Sequence, residues 1–220
     1  MLKVVCVYKS GGDFDVSYVN RLKTGIDRNL SIPFELICLT DRISEVLGIP
    51  NIKIVPLVNG WPGWWNKIEL FNLSGPALYF DLDVVIDGDI TPLADIVCCL
   101  AANEIVMARD FYFEEPNSSI VGFNCGFPWI YRDFQRKIGR NPQFLHGPHA
   151  VSVKIEEKLF RGDQDYIFHA LKNHNTNIIY AQDVFPCIYS YKKDLRDKKR
   201  PADCRIIVFH GKPRPTEVTL

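Results

Sequence analysis

The sequence has no excess of either charge: 26 Lys and Arg residues balance 26 Asp and Glu. A neutral chain has no global field to draw it to nucleic acid or to an anionic membrane, so a polyanionic ligand must be met locally. Also missing is any apolar run near the ~20 residues that a membrane-spanning helix needs. The N-terminal stretch MLKVVCVYKSGGDF is too briefly apolar for a signal peptide and shows no cleavage-site pattern. CxxC spacing is absent, so the seven cysteines do not form a zinc motif. Most of them lie in apolar runs, where a free thiol behaves as a small hydrophobe. A reducing, cytoplasmic setting is therefore expected. Internal repeats and low-complexity segments are missing too. The 220 residues read as a single domain, 1–220, with a substantial core, and leave open that a longer protein continues beyond it.

What is present is an alternation of strands and helices. Strands are expected at Lys3 to Tyr8, Pro33 to Asp41, Ile52 to Leu57, Ala77 to Phe80, Glu104 to Ala108 and around Phe123 to Tyr131. NIIYA and RIIVFHG are expected to be the last two. Helical spacing runs from about Val16 to Asn29, and WWNKIELFN carries Trp64, Ile68 and Phe71 at helical intervals. Thr91 is the expected N-cap of the next helix, with Pro92 at its first position. A further helix is expected in RGDQDYIFHALKNH, capped by Asp163. This alternation predicts an α/β fold with a mixed, mostly parallel central sheet flanked by helices. Ligands of such sheets bind outside the carboxyl ends of the strands. Asp41, Asp81, Asp83 and His210 all fall at ends of that kind.

The stretch PALYFDLDVVIDGDI poses the chemical question. An apolar strand leads directly into Asp81 and Asp83, two residues apart and so on one face. Two like charges beside a core need a cation or strong donors between them. Carboxylate oxygens of this type suit Mg²⁺ or Mn²⁺. The calcium-loop pattern fails, because Val85 stands where a third oxygen ligand is required. His210 and Lys212, in VFHGKPRP, offer an imidazole and a point charge for phosphate, and Gly211 permits close backbone approach. Lys67, just ahead of the carboxylate strand, is placed to meet an anion. Asn124 offers a donor and an acceptor to hydroxyls. The tryptophans of GWPGWWNK suit core packing better than sugar stacking. Asp163, Gln164 and Asp165 on their own are no more than the acidic first turn of a helix. The basic run KKDLRDKKR reads as a solvated loop.

Together these segments resemble a known set. YFDLDVVI resembles the DxD motif of GT-A glycosyltransferases, the Rossmann-like nucleotide-diphospho-sugar transferases. GDQDYI resembles the DQD segment of glycosyltransferase family 8, the glycogenin and lipopolysaccharide galactosyltransferase group. FHGKPRP is similar to that family's C-terminal H-x-x-G-x-x-K-P-W motif, GFNCGFPWIY to its N-x-G strand, and KIELF to its basic helix. The last motif is shortened, and Arg214 precedes a proline where the family has tryptophan, which marks a divergent relative.

The resemblance implies a metal-dependent hexosyltransferase acting on a nucleotide sugar, most simply a UDP-sugar, and on a glycan or other hydroxyl-bearing acceptor. It implies Asp81, Asp83 and His210 as ligands of Mn²⁺ or Mg²⁺, with Asp81 also touching the ribose, and Lys212 on the diphosphate. It places Lys67 at the donor phosphate or sugar. Asp110, Asn124, Asp163 and Gln164 would surround the donor sugar, with Asp165 beside them. Tyr8 would flank the base, with Asp41 near it. A glutamine at the centre of the DQD segment implies transfer with retention. Two rival readings remain. One is a haloacid-dehalogenase-type phosphatase, whose first motif YFDLDVVI also satisfies. The other is a non-catalytic sugar-nucleotide-binding domain.

Overall fold

A computed structural model of the chain describes residues 1–140, 143–146 and 151–219. Among the described residues, thirteen strands occur in chain order. They are β1 (Leu2–Tyr8), β2 (Phe34–Thr40), β3 (Lys53–Pro56), β4 (Ala77–Phe80), β5 (Val84–Ile86), β6 (Glu104–Arg109) and β7 (Pro116–Phe123). After them come β8 (Gln143–His146), β9 (Val151–Ile155), β10 (Lys158–Phe160), β11 (Asn177–Tyr180), β12 (Ile188–Ser190) and β13 (Ile206–Val208). The α-helices are α1 (Val16–Asn29), α2 (Ile43–Val46), α3 (Thr91–Cys99), α4 (Pro128–Arg140), α5 (Asp163–Asn173) and α6 (Ala181–Val184).

Seven strands form the central sheet in the order β11-β6-β7-β4-β1-β2-β3. All run parallel except β7, which is antiparallel to both β4 and β6. The chain winds outward from β1 through β2 to β3, then returns to place β4 on the other side of β1. A crevice therefore opens between the carboxyl ends of β1 and β4, where the winding reverses.

Period-2 alternation divides the core between the two faces of the sheet. Val4, Cys6, Tyr8, Leu78 and Phe80 face the layer that holds α1 and α3. Val5, Ala77, Tyr79, Met107 and Val121 face the layer that holds α4, α5 and the turn-rich segment Gly63–Asn72. Helix α1 begins where expected, because the Asp15 side chain accepts from Ser17 N. Its Gly25 is required by packing: a Cβ there would lie 2.7 Å from Ile86 O.

Several local expectations are corrected. WWNKIELFN lies within a 3₁₀ segment, Gly63–Asn72, not an α-helix. Asn66 Nδ2 donates to Gly63 O at 2.8 Å, and the buried Glu69 carboxylate accepts from Val58 N and Asn59 N. These side chains hold the tighter winding by satisfying local backbone groups. Helix α3 has Ile90 as its N-cap, and it is Asp89 Oδ1 that accepts from Thr91 N. The strand expected around Phe123 to Tyr131 ends at Phe123, and residues from Pro128 onward are helical. Gly162, not Asp163, is the N-cap of α5.

A second small sheet, β12-β13-β5, positions the C-terminal motif. Strand β13 pairs antiparallel with β5, Val208 opposite Val84. Phe209 and His210 follow directly after this pairing, and Asp83 directly precedes it in the chain. No helix among the described residues is long and apolar enough to cross a membrane.

Candidate active site

Strand β4 is buried throughout and delivers Asp81 and Asp83 to the crevice. The backbone turns sharply there, with Asp81 N donating to Ser119 O at 2.9 Å and Val84 N donating to Asp81 O at 3.0 Å. Asp81 Oδ1 accepts from Tyr79 Oη at 2.5 Å and lies 3.0 Å from Lys67 Nζ. Burial and the neighbouring Asp81 charge raise the pKa of the Tyr79 phenol, which keeps it a donor.

Lys67 joins the two halves of the site. Its buried ammonium also lies 3.0 Å from Asp163 Oδ2, at the head of α5, and donates to Ser118 Oγ at 2.9 Å. Ser118 Oγ in turn donates to Asp163 Oδ2 at 2.8 Å. Burial alone would lower the Lys67 pKa, but Asp163 and Asp81 hold it above its ordinary value, so the side chain stays charged. The Lys67 charge is thus paired with two carboxylates, one from each side of the crevice.

Gln164, the next residue of α5, accepts from Ser118 N through Oε1 at 3.3 Å. Asp165 is exposed and accepts from Arg161 N at 3.1 Å, so it serves the helix start rather than the crevice. Asp110, at the end of β6, accepts from Tyr112 N and Phe113 N through Oδ1 and from Asn117 Nδ2 through Oδ2. It shapes the loop beside the crevice.

Asp83 is buried, and burial together with the Asp81 charge pushes its carboxyl above the usual range; Arg214 and Lys67 oppose that shift. Arg214 Nη1 donates to Asp83 Oδ2 at 2.7 Å. His210 stacks on Phe111, with ring centroids 5.5 Å apart, and its Nε2 lies 2.7 Å from Ser190 Oγ. Burial, reinforced by Lys192, lowers the His210 pKa and keeps the ring neutral. Lys192 Nζ would lie 3.3 Å from a Cβ at Gly211, whose φ of +81° favours glycine. The exposed Lys212 follows on the same loop.

Two carboxylates and a neutral imidazole suit a divalent cation, which would relieve the repulsion between Asp81 and Asp83. The donor set therefore fits Mn²⁺ or Mg²⁺ in its chemistry. Each donor also has a protein partner: Lys67 and Tyr79 on Asp81, Arg214 on Asp83, and Ser190 on His210. Among the described residues, no three His, Cys, Asp or Glu side chains converge as a metal cluster.

Three further expected residues, Tyr8, Asp41 and Asn124, are engaged by other partners. Tyr8 is fully buried in the α1-side core. Its hydroxyl donates to Glu45 Oε2 at 2.5 Å and accepts from Arg42 Nη1 at 3.1 Å, and burial pushes its pKa up to about 12. Alternation along β1 turns it into that core. At that strand end Asp41 accepts from Ser10 N at 2.8 Å and pairs with Lys9. Burial would raise its pKa, but Lys9 and Ser10 hold it near 2. Asn124 follows the carboxyl end of the antiparallel β7, beside the start of β4, where Ala77 pairs with Phe123. Its Nδ2 donates to Leu100 O at 3.1 Å, at the edge of the sheet opposite Asp81.

Sequence reasoning missed Ser118, Tyr79 and Arg214. A signal for Ser118 was present in the polar triplet Asn117, Ser118 and Ser119 ahead of an apolar run. Reading that run as antiparallel would have placed the triplet at the crevice.

No protein-family model matches the sequence, and no curated protein matches it. Solved structures do share its architecture. The galactosyltransferase LgtC, crystallised with donor and acceptor sugar analogs, aligns with a TM-score of 0.63 at 14% identity, over 97% of this chain and 88% of that one. The apo form of the glycosyltransferase GlyE of Streptococcus pneumoniae TIGR4 aligns with a TM-score of 0.62 at 14% identity, over 97% of this chain. A second GlyE structure gives a TM-score of 0.60 at 14% identity over 98% of this chain. The chain spans 55% and 56% of those two chains, respectively. The mixed sheet, its crevice between β1 and β4, and these alignments together show that the chain has the GT-A-type fold of such glycosyltransferases.

Proposed function

We propose that the chain transfers a sugar from a nucleotide-sugar donor, a UDP-sugar, to a hydroxyl of a glycan or other acceptor, with retention at the anomeric carbon. The observation that carries this reading is the buried Lys67 ammonium. It ties the carboxylate turn after β4 to the head of α5, at the crevice where sheets of this kind bind ligands. The fold shared with LgtC and GlyE supports it.

The leaving group of such a donor is a nucleoside diphosphate, and neutralising its charge lowers the barrier. A bound Mn²⁺ or Mg²⁺ would act there as a Lewis acid. Asp81, Asp83 and His210 are the residues that would hold it, and Lys212 would add a point charge to the diphosphate. Lys67 and Ser118 fix Asp81 and Asp163 as rigid acceptors for ligand hydroxyls. Gln164 brings an amide that cannot deprotonate an acceptor, but its carbonyl oxygen can stabilise positive charge at the anomeric carbon. Transfer on one face follows, with the departing phosphate oxygen taking the acceptor's proton. The fold shared with LgtC and GlyE disfavours the phosphatase reading.

Titration calorimetry with UDP and uridine, with Mn²⁺ or with a chelator, tests this reading. UDP should bind far more tightly with Mn²⁺ than with chelator. Lys212→Ala should weaken UDP by about tenfold, on the scale of one charge-assisted hydrogen bond, and leave uridine unchanged. UDP binding that ignores the metal would overturn the metal assignment. Equal losses for UDP and uridine would show that the loop shapes the whole pocket instead.

A further inference from the structure

Arg214 stands where this chain departs from the motif it resembles, and it joins three segments. Nη1 donates to Asp83 Oδ2 at 2.7 Å in the turn after β4, and Nη2 donates to Asp13 Oδ2 at 3.0 Å in the loop after β1. The guanidinium carbon lies 4.7 Å from the centroid of the Phe14 ring. Its backbone belongs to the C-terminal segment, where Arg214 N donates to Glu217 Oε2 at 2.8 Å and Thr216 Oγ1 lies 2.7 Å from Tyr18 Oη. The side chain is only 16% exposed, and its buried Nε has no hydrogen-bond partner among the described residues.

A permanently charged guanidinium thus sits on the second carboxylate of the DxD turn, the group that a divalent cation would need. Asp83 Oδ2 cannot present the same lone pairs to both, and two cations on one carboxylate repel each other. We propose that Arg214 is a donor-binding residue. Its guanidinium is stored on Asp83 and Asp13 in the free protein, and it passes to the donor's diphosphate when a divalent cation takes its place on Asp83. The inference rests on the donor reading above.

Three features favour the exchange. The guanidinium fork matches phosphate oxygens as well as carboxylate oxygens, so a diphosphate can replace what Arg214 leaves. Lys212 lies two residues away on the same loop, so both charges reach one ligand. The unpartnered Nε leaves one donor unused in the stored position, and a diphosphate could satisfy it. The exchange would also free Asp13, so donor loading would loosen the Gly11–Asp13 loop.

Two binding measurements on the full chain test the proposal: Mn²⁺ affinity without nucleotide, read by electron paramagnetic resonance, and UDP affinity at saturating Mn²⁺, read by calorimetry. Arg214→Gln should bind Mn²⁺ about tenfold more tightly than the unaltered protein, because the competing cation is gone, and UDP about tenfold more weakly. Arg214→Lys keeps the charge and loses the fork, so it should fall between the two in both measurements. It also carries the test if the glutamine variant fails to fold. Mn²⁺ affinity that is unchanged or weaker in Arg214→Gln, or unchanged UDP affinity, overturns the proposal. If the unaltered protein binds UDP with Mn²⁺ and the variants match it, this inference alone falls. If the unaltered protein binds no UDP with or without Mn²⁺, the donor reading falls as well.

Discussion

Replacing Lys67 with methionine tests the network at the centre of the site. The substitution roughly keeps the length and volume of the side chain and removes its charge, so little of the effect can come from a cavity. In the native protein the ammonium is buried and lies 3.0 Å from both Asp81 Oδ1 and Asp163 Oδ2. Removing one partner of a buried ionic cluster leaves uncompensated charge and destabilises by about 3–5 kcal/mol. For a chain of this length that corresponds to a fall in melting temperature of about 6–20 °C. The sign of the pH dependence follows from Lys67 itself. Burial would lower its pKa, but Asp163 and Asp81 hold it above the unfolded value of about 10.4. A group raised in this way favours the folded state below its unfolded pKa and loses that contribution as the pH rises through the folded one. The gap between variant and native protein should therefore hold through neutral pH and narrow as the pH rises past about 10. Urea denaturation of both proteins at several pH values measures the gap. A loss below about 1 kcal/mol, the range of a surface pair, or a gap that does not vary with pH would refute the buried network.

Gln164→Ala should reduce turnover while leaving UDP affinity nearly intact, as expected for a contact made mainly in the transition state. Proton NMR of the first-formed product should show the donor's anomeric configuration, and an inverted product would exclude the one-face route. Asn124→Ala should leave UDP and donor affinity unchanged, because Asn124 bonds Leu100 O at the far edge of the sheet. Weakened donor binding would show that Asn124 belongs to the donor site after all.

Much of the framework was legible in the sequence because it is written in local pattern. Alternation along Leu2–Tyr8 and Ala77–Phe80, the capped amphipathic run Val16–Asn29, and an apolar strand ending in Asp81 and Asp83 each follow from residue spacing and side-chain chemistry within a few positions. These patterns also determined that Asp81 and Asp83 would emerge at the edge of a buried sheet. What a period-2 pattern cannot carry is strand direction, since it reads the same either way. Pairing decided that β7 runs antiparallel, which brings Ser118 to Lys67 and carries Asn124 to the opposite edge. Pleat and register decided that Tyr8 at the end of β1 faces the core rather than the crevice. The partners of the carboxylates were equally out of reach. Lys67 ties Asp81 to Asp163, and Arg214 reaches Asp83, across elements that lie apart in the chain. Buried charges take whatever opposite charge the packed chain brings to them, and only the tertiary structure decides which that is.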